Sequence, residues 1–299
     1  MALRHWLLLI FLASGLYIHF RGQVRFALAR ALDFTILIAP VNALMYLFSR
    51  VPAKAYLDPD DFPELAPLKA NWQLIRDEAM RLADDGAIRA ATGYNDVGFN
   101  SFFRTGWKRF YLSWYGKDMP SAQTQCPQTV ALLKSIPTIK AAMFASLPPG
   151  ARLVSHRDPY AGSLRYHLGL VTPNDPGCNI VVDGQPYHWK DGEAVMFDET
   201  FIHHAENTTD HQRIVLFCDV ERPLWTAPLR WFNRFFGQHV MAAASSQNEG
   251  TETVGGINKA FQYIYQLRLK AKALKASNRT AYYAGKWALI IGLLWLLFW

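Results

Sequence analysis

The sequence predicts a mainly β protein, a sandwich or barrel of short strands, with flanking helices and a hydrophobic helix at each end. Within residues 139–220, short apolar or alternating segments are separated by turn residues such as the Asp-Gly pairs at 183–184 and 191–192. No segment between them is long enough for a crossover helix, which argues against a parallel sheet. The first and last segments of the 299-residue chain are its most apolar parts.

Individual elements follow from the spacing of apolar residues. Seven strands are predicted at 141–146, 152–156, 163–170, 179–182, 186–190, 194–197 and 214–220. Upstream, residues 60–85 have mostly helical spacing, residues 99–116 are aromatic and basic and are interpreted as strands, and residues 128–135 form a short helix. The strands therefore concentrate in the second half of the chain.

The net charge of +7 is distributed unevenly. Residues 1–50 contain five arginines and one aspartate, and residues 222–299 contain ten basic and two acidic residues, so the region between them is net acidic. Nucleic-acid-binding proteins usually carry positive charge on the folded domain. Here the positive charge lies in the apolar ends, which fits an anionic membrane surface. We expect a membrane partner and no nucleic acid.

The three cysteines, Cys126, Cys178 and Cys218, form no CxxC motif. This number and spacing fit neither a disulfide framework nor a zinc ribbon. We expect buried free thiols in a reducing compartment.

Residues 6–20 form a nearly continuous apolar run that Arg21, Arg25 and Arg30 follow. Its length is at the lower limit for crossing a bilayer. A secretory signal peptide is the alternative, but bulky residues occupy the place where a small-residue cleavage site would lie. We therefore favour an anchor. The apolar stretch 31–48 could span the membrane, re-enter it or lie along its surface.

At the other end, residues 257–277 combine helical apolar spacing with lysines and arginines, and residues 287–299 are apolar with three tryptophans. Tryptophan is favoured at membrane interfaces. Positive charge follows the first apolar run and precedes the last one, so both flanks, and the domain between them, are expected in the cytoplasm.

A candidate metal site is formed by His156, Asp158 and one residue of the His203-His204 pair. In an extended segment, residues i and i+2 point the same way, so His156 and Asp158 can bind one ion. Two histidines and one carboxylate on one face of an octahedral iron leave positions open for dioxygen and a chelating co-substrate. Zinc hydrolases also use such ligands, but the chain has no HExxH motif.

Arg213 lies ten residues after His203 and begins the apolar segment RIVLFCDV. The segment predicts that this arginine is buried. A buried guanidinium can bind the far end of a dicarboxylate through two parallel hydrogen bonds. Arg213 is therefore a candidate ligand for an anionic co-substrate.

Four segments together resemble one known family: SHRDP (155–159), LRYHLGL (164–170), GEAVMFDETFIHHAEN (192–207) and HQRIVLFCDVERP (211–223). Residues from about 139 to 224 are similar to the aspartyl/asparaginyl β-hydroxylases, which are 2-oxoglutarate-dependent dioxygenases. The whole chain, with its apolar ends, looks like the bacterial members that hydroxylate lipid A. The resemblance implies a double-stranded β-helix, or jelly roll, for the catalytic core.

The resemblance also implies roles for single residues. His156 and His203 match the two iron-binding histidines, and Arg213 matches the arginine that binds 2-oxoglutarate. The ten-residue step to Arg213 favours His203 over His204. Asp158 is a departure, since animal members lack a carboxylate there. It completes the usual two-histidine, one-carboxylate triad.

Three further residues are expected near the other carboxylate end of the co-substrate. Arg165 and His167 match family residues with that role. A family serine aligns with Ala145, and the adjacent Ser146 is the nearest candidate for it.

The implied cofactors are Fe(II), 2-oxoglutarate and O2, and the implied reaction is hydroxylation at C2 of an acyl chain of lipid A, with succinate and CO2 as co-products. Another acyl lipid, such as an ornithine lipid, and a protein Asp/Asn side chain are alternative substrates. A non-enzymatic membrane scaffold is disfavoured by the intact site residues. The expected location is the bacterial inner membrane, and the sequence does not indicate an oligomeric state.

These expectations divide the chain into three parts. Residues 1–50 are an N-terminal membrane anchor and interfacial segment, residues 51–224 a cytoplasmic jelly-roll domain with its core at 139–224, and residues 225–299 a basic amphipathic helix and a hydrophobic membrane segment. Aromatic side chains in two segments are expected to hold the domain at the bilayer. They are Phe102, Phe103, Trp107, Phe110, Tyr111, Trp225, Trp231 and Phe232. Arg104, Lys108 and Arg109 either contact lipid phosphates or belong to a solvated basic face.

Overall fold

A computed structural model describes residues 3–27, 38–91 and 96–298. Its α-helices are α1 (Leu3–Phe20), α2 (Ala39–Leu47), α3 (Ala66–Ala70), α4 (Trp72–Asp84), α5 (Asn100–Phe103), α6 (Pro120–Gln125), α7 (Pro127–Lys134), α8 (Ala227–Phe236), α9 (Gly256–Ser277) and α10 (Arg279–Phe298). Short 3-10 turns lie at Pro59–Asp61, Pro63–Leu65 and Ala242–Ala244, and a π-helical turn lies at Gly237–Met241.

The strands occupy the middle of the chain. They are β1 (Tyr56–Leu57), β2 (Lys108–Trp114), β3 (Lys117–Asp118), β4 (Ile139–Leu147), β5 (Arg152–His156), β6 (Ser163–Val171), β7 (Cys178–Val182), β8 (Gln185–His188), β9 (Ala194–Phe197), β10 (His203–Asn207) and β11 (Arg213–Glu221).

These strands form two antiparallel sheets. The larger has the order β1-β9-β6-β11-β4-β2-β3, and the smaller has the order β5-β10-β7-β8. From β4 to β7, successive strands alternate between the sheets, and after the β7–β8 hairpin the alternation resumes through β9, β10 and β11. Two interleaved sheets of this kind make a double-stranded β-helix. The predicted fold class is confirmed.

The seven predicted strands appear as β4–β9 and β11. Two predictions about other elements were wrong. β10 was missed because its sequence, HHAEN, lacks the apolar residues typical of a strand. Residues 99–116 are only partly extended, since α5 precedes β2. Phe102 and Phe103 favour a strand by composition, because aromatic residues are common in strands, but they lie in one short helical turn.

The core lies between the large sheet and the helices that cover it. All nine residues of β11 are buried, as are seven of the nine in β4. α4 packs on the outer face of this sheet against β6, and its buried residues Ile75, Ala79 and Leu82 follow helical spacing. A strand buried on both faces reads as continuously apolar, as β11 does.

The N-terminal segment is attached to the end of the jelly roll. Ser49 forms an antiparallel bridge with Leu224. On either side of it, the Arg50 amide donates to the Pro223 carbonyl at 2.9 Å and the Trp225 amide donates to the Phe48 carbonyl at 3.0 Å. The end of α2 and the start of α8 therefore lie close together.

α1 is long and apolar enough to cross a bilayer, and it is the single helix with that property among the described ranges. Its 18 residues span about 27 Å, close to the hydrocarbon thickness of a membrane. Most of its side chains are exposed, with Ser14 and Ile18 buried. Of the stretch 31–48, residues 39–47 form α2, whereas residues 31–37 lie outside the described residues.

Candidate metal and co-substrate site

His156 and His203 face each other across two strands of the small sheet. They end β5 and begin β10 respectively, and they are direct partners in the antiparallel register. Their ring centres are 4.1 Å apart. Asp158 follows β5, and its backbone amide donates to the Glu199 carbonyl at 2.9 Å. One ligand atom of each of these three residues lies within 4.8 Å of the others.

The two imidazoles are oriented to present Nε2 to a metal. Nδ1 of His156 lies 2.8 Å from the Val154 carbonyl, and Nδ1 of His203 lies 2.9 Å from the Phe201 carbonyl. A carbonyl can only accept, so each Nδ1 carries the hydrogen and each neutral ring has a free lone pair at Nε2. Burial lowers the pKa of both, to about 3 for His203. Neutral imidazole is the metal-binding form.

Asp158 supplies the carboxylate. Its Oδ1 lies 3.6 Å from His156 Nε2, and its Oδ2 accepts a 2.7 Å hydrogen bond from Arg165 Nη2. Burial alone would raise the pKa of Asp158, but the Arg165 guanidinium beside it lowers the pKa below its ordinary value. The group is therefore ionised, with one oxygen turned to the histidines. Two neutral histidines and one carboxylate fit the facial ligand set of a non-haem iron(II).

Arg165 is surrounded by carboxylates from three parts of the chain. Besides Asp158, its Nε lies 2.9 Å from Glu199 Oε2 and 3.0 Å from Asp219 Oδ1. Its guanidinium also stacks on Phe217 at 3.6 Å. Burial raises the pKa of Glu199 and of Asp219. Arg165 therefore fixes the position of the Asp158 carboxylate through Oδ2, the oxygen that does not face His156.

Arg213 is buried in different surroundings. Its Nη1 donates to the Ala145 carbonyl at 3.2 Å, and its guanidinium lies 4.3 Å from the centre of the Trp189 ring. Its Nε has no hydrogen-bond partner within residues 3–27, 38–91 and 96–298. In the part of the chain that the structure describes, Arg213 forms no ion pair with a carboxylate. Burial lowers its pKa to about 10. An unpaired buried cation is costly, and an anionic ligand would remove that cost.

His167 lies between these two arginines. It is buried, and neither ring nitrogen has a hydrogen-bond partner among the described residues. Its ring lies 5.3 Å from Phe217 and 6.0 Å from Trp189. Buried polar atoms are nearly always paired, so these nitrogens also mark a place for a polar ligand. Burial, together with the two arginines, lowers the pKa of His167 well below its usual value.

All these side chains line one cavity between the sheets. The small sheet contributes His156 and His203, and the large sheet contributes Arg165, His167 and Arg213. Its apolar wall includes Phe99, Phe102, Trp107, Leu153, Ile180, Trp189, Phe197 and Phe217. A cavity with a few convergent polar groups on an apolar wall is typical of a small-molecule site.

Two candidate residues lie elsewhere. Ala145 lines the cavity, but Ser146, its neighbour on β4, does not. Successive strand residues face opposite sides of a sheet, and Ala145 pairs with Val215 while Ser146 pairs with Ile214. His204 likewise follows His203 on β10 and is not part of the three-residue cluster. From the sequence, the spacing to Arg213 favoured His203 over His204, whereas Ser146 was a candidate because it adjoins Ala145.

Sequence reasoning missed Glu199 and Asp219. Asp219 had a signal, because a single carboxylate inside the apolar segment RIVLFCDV needs a buried partner. Glu199 lies in the turn between β9 and β10 and had no such signal. Arg109, a candidate phosphate contact, is instead buried, with Nε and Nη2 donating to Asp96 Oδ2 at 3.1 and 3.0 Å. The expectation that Phe102, Trp107, Phe110 and Tyr111 contact the bilayer was also wrong, because these side chains are buried in the core.

Comparison with known proteins gives a consistent picture. The model of the family described as aspartyl/asparaginyl β-hydroxylase matches residues 69–223. An ornithine lipid ester-linked acyl 2-hydroxylase of Rhizobium tropici is 34% identical over 203 residues, which are 67% of this chain and 72% of that protein. Human aspartate β-hydroxylase domain-containing protein 2 is 36% identical over 126 residues, 39% of this chain and 34% of that protein.

Among solved structures, a Pseudomonas putida prolyl-4-hydroxylase aligns with 52% of this chain and 88% of its own, at 17% identity and a TM-score of 0.34. The strand order of this chain, rather than so distant a likeness, identifies its fold. The jelly roll and the family match define a dioxygenase-type hydroxylase. The chain belongs to the aspartyl/asparaginyl β-hydroxylase family. It spans about a third of the human protein named above.

Proposed function

We propose that this hydroxylase depends on iron(II) and 2-oxoglutarate, with His156, Asp158 and His203 holding the metal and Arg213 binding the far carboxylate of the co-substrate. The burial of Arg213 beside the candidate metal ligands is the observation that carries the proposal. A buried guanidinium that forms no carboxylate ion pair with the described residues, in a cavity shared with the triad, fits a dicarboxylate bound between them.

The other polar residues then have separate roles. Iron(II), with O2 and 2-oxoglutarate, supplies the oxidation of an unactivated C–H bond, and the co-substrate is converted to succinate and CO2. His167, whose ring nitrogens have no hydrogen-bond partner in the described part of the chain, lies where it can bind the co-substrate between Arg213 and the metal. Arg165 is engaged with three carboxylates, so its role is to orient Asp158. Ser146 is not included in the proposed site.

For the organic substrate we propose an acyl chain of a membrane lipid, hydroxylated at C2. Lipid A is the first candidate, because the apolar ends of the chain resemble those of bacterial enzymes that hydroxylate it. An ornithine lipid is the second candidate, because the Rhizobium tropici relative is named as an ornithine lipid hydroxylase. Attachment to a membrane favours either lipid over a protein side chain.

The exposed surface supports membrane attachment. α1 is apolar and largely exposed. On α8, Phe232 and Leu229 pack inward against a cluster of Met45 and Leu224, whereas Trp231 is 66% exposed and stacks on Phe235 at 5.5 Å. Exposed aromatic side chains of this kind are typical of a bilayer interface.

The sequence also supports an orientation. Arg21 and Arg25 follow α1, and lysines and an arginine precede the apolar part of α10. We propose that the protein lies in the bacterial inner membrane with its jelly roll in the cytoplasm. A reporter fused within residues 222–250 and active only in the periplasm would contradict this orientation.

The substrate is tested by expression in a Gram-negative host that makes both lipids but lacks the modification. Lipid A and ornithine lipid are extracted and weighed by mass spectrometry. The expected result is a gain of one oxygen on an acyl chain, lost in His156→Ala and retained in His204→Ala. Which lipid gains mass decides between the two candidates. If both are unchanged while a peptide Asp or Asn is hydroxylated, the lipid proposal is wrong.

A further inference from the structure

Two buried polar side chains from the N-terminal hydrophobic segment reach the loops that carry the candidate metal ligands. Arg21 comes directly after α1, and Asn42 lies in α2. Both belong to the part of the chain that precedes the jelly roll. Nevertheless, the side chain of Arg21 is 6% exposed and Asn42 is 2% exposed.

Asn42 holds the segment that follows Asp158. Its Nδ2 donates to the Pro159 carbonyl at 2.7 Å, and its Oδ1 accepts from the Ala161 amide at 2.9 Å. One amide side chain thus satisfies two backbone groups within three residues of chain. These bonds restrict the backbone directly beside the metal-binding carboxylate, in a loop that has no strand partner of its own there.

Arg21 holds the loop that precedes His203. Its Nη1 donates to Thr200 Oγ1 at 2.7 Å, and its Nη2 pairs with Asp198. Its guanidinium also lies 4.1 Å from the centre of the Phe201 ring. Phe201 is the residue whose carbonyl accepts the Nδ1 hydrogen of His203. Arg21 therefore fixes the residue that orients this imidazole.

Arg21 also contacts α2, the helix that carries Asn42. Its guanidinium lies 4.0 Å from the ring of Tyr46, one helical turn after Asn42 on α2. α1 and α2 also pack on each other. Asn42 in α2 and Arg21, directly after α1, consequently contact both the loop that carries Asp158 and the loop that precedes His203.

We propose that Arg21 and Asn42 are positioning residues of the metal site. The N-terminal helices then do more than attach the protein to a bilayer, because their docking fixes the geometry of Asp158 and His203. This inference rests on the proposed metal site. Residues that orient metal ligands commonly affect metal affinity by about tenfold to a hundredfold when they are replaced.

The test measures metal affinity in the full chain purified in detergent. Mn(II) is the probe, since the same ligand types bind it, and the signal of free Mn(II) in electron paramagnetic resonance reports binding. Arg21→Gln and Asn42→Ala are each expected to weaken binding by about tenfold or more. The unfolding temperature of the metal-free protein is measured in parallel, to separate positioning from loss of fold.

Two matched controls lie on the same segments. Arg25→Gln removes a charge from the same helix end, but Arg25 is exposed and its identified contact is with Phe20. Leu44→Ala removes an exposed apolar side chain from α2. Both are expected to bind Mn(II) as the wild type does.

Wild-type affinity in Arg21→Gln and Asn42→Ala would overturn the inference. If a variant shows no thermal unfolding transition, the conservative variant Arg21→Lys or Asn42→Asp is used in its place. Wild-type Mn(II) affinity in that variant would likewise overturn the inference. If the wild type binds no Mn(II), the metal site and this inference both fail. If the wild type binds Mn(II) and the two variants bind it weakly, but no lipid is hydroxylated, the positioning role stands and only the substrate proposal fails.

Discussion

The guanidinium of Arg213 lies 4.3 Å from the centre of the Trp189 ring, in a cavity that also contains the three candidate metal ligands. It contacts this ring and the Ala145 carbonyl, and its Nε has no hydrogen-bond partner among the residues that the structure describes. This arrangement leaves a positive charge inside the protein that the proposed co-substrate would neutralise.

Replacing Arg213 by Met is expected to have two opposite effects. The affinity for 2-oxoglutarate, measured by calorimetry with Mn(II) present, falls by about tenfold to a hundredfold, because a charge-assisted hydrogen bond contributes roughly 1.5–3 kcal/mol. The ligand-free protein becomes more stable to heat, because an unpaired buried charge is removed. Unchanged affinity for 2-oxoglutarate would contradict the assignment of Arg213.

Arg165→Met is expected to destabilise the protein, whereas Arg213→Met is expected to stabilise it. The substitution leaves Asp158, Glu199 and Asp219 without their common cation, and breaking a buried pair costs about 3–5 kcal/mol. Urea unfolding of the metal-free protein measures this loss. Arg213→Met is the matched control, since it removes the same charge from an arginine that forms no ion pair with a carboxylate of the described residues. If the two variants were equally stable, the partner assignments would be wrong.

The histidine pair on β10 provides a test of strand orientation. His203→Ala is expected to abolish Mn(II) binding, whereas His204→Ala retains it, because adjacent strand residues face opposite sides of the sheet. Equilibrium dialysis with Mn(II) distinguishes the two variants. Equal loss in both would mean that His204 also binds the metal.

Ala145 and Ser146 test the same principle on β4. Ser146→Ala is expected to leave the KM for 2-oxoglutarate unchanged, because Ser146 does not line the cavity. Ala145→Leu places a larger side chain beside Arg213 and is expected to raise that KM at least tenfold or to abolish turnover. A raised KM in Ser146→Ala would restore the serine to the site.

The sequence alone was enough to predict the parts of the fold that have a local pattern. Apolar alternation and turn residues located β4, β5 and β6 within about two residues. β10 could not be predicted in this way, because HHAEN becomes a strand through pairing with β5 and β7 rather than through its composition. β10, which carries His203, is therefore a ligand-bearing strand that the pattern missed.

The partners of the candidate site residues depended on tertiary structure. The spacing of His156 and Asp158 predicted their convergence, and the structure places His203 beside them. The contacts of Arg165 join residues 158, 199 and 219, and no periodicity relates positions so far apart. For the same reason, the contact of Asn42 with Pro159 and Ala161 could not be foreseen.

The source of the new oxygen atom on the lipid tests the central claim most directly. Cells that express the wild-type protein are grown under isotopically heavy dioxygen, and the hydroxylated acyl chain is weighed by mass spectrometry, with His156→Ala as the negative control. An iron(II)- and 2-oxoglutarate-dependent lipid hydroxylase transfers one heavy oxygen atom from dioxygen to the acyl chain. A hydroxyl group that carries oxygen from water, or acyl chains identical in the wild type and His156→Ala, would contradict the account.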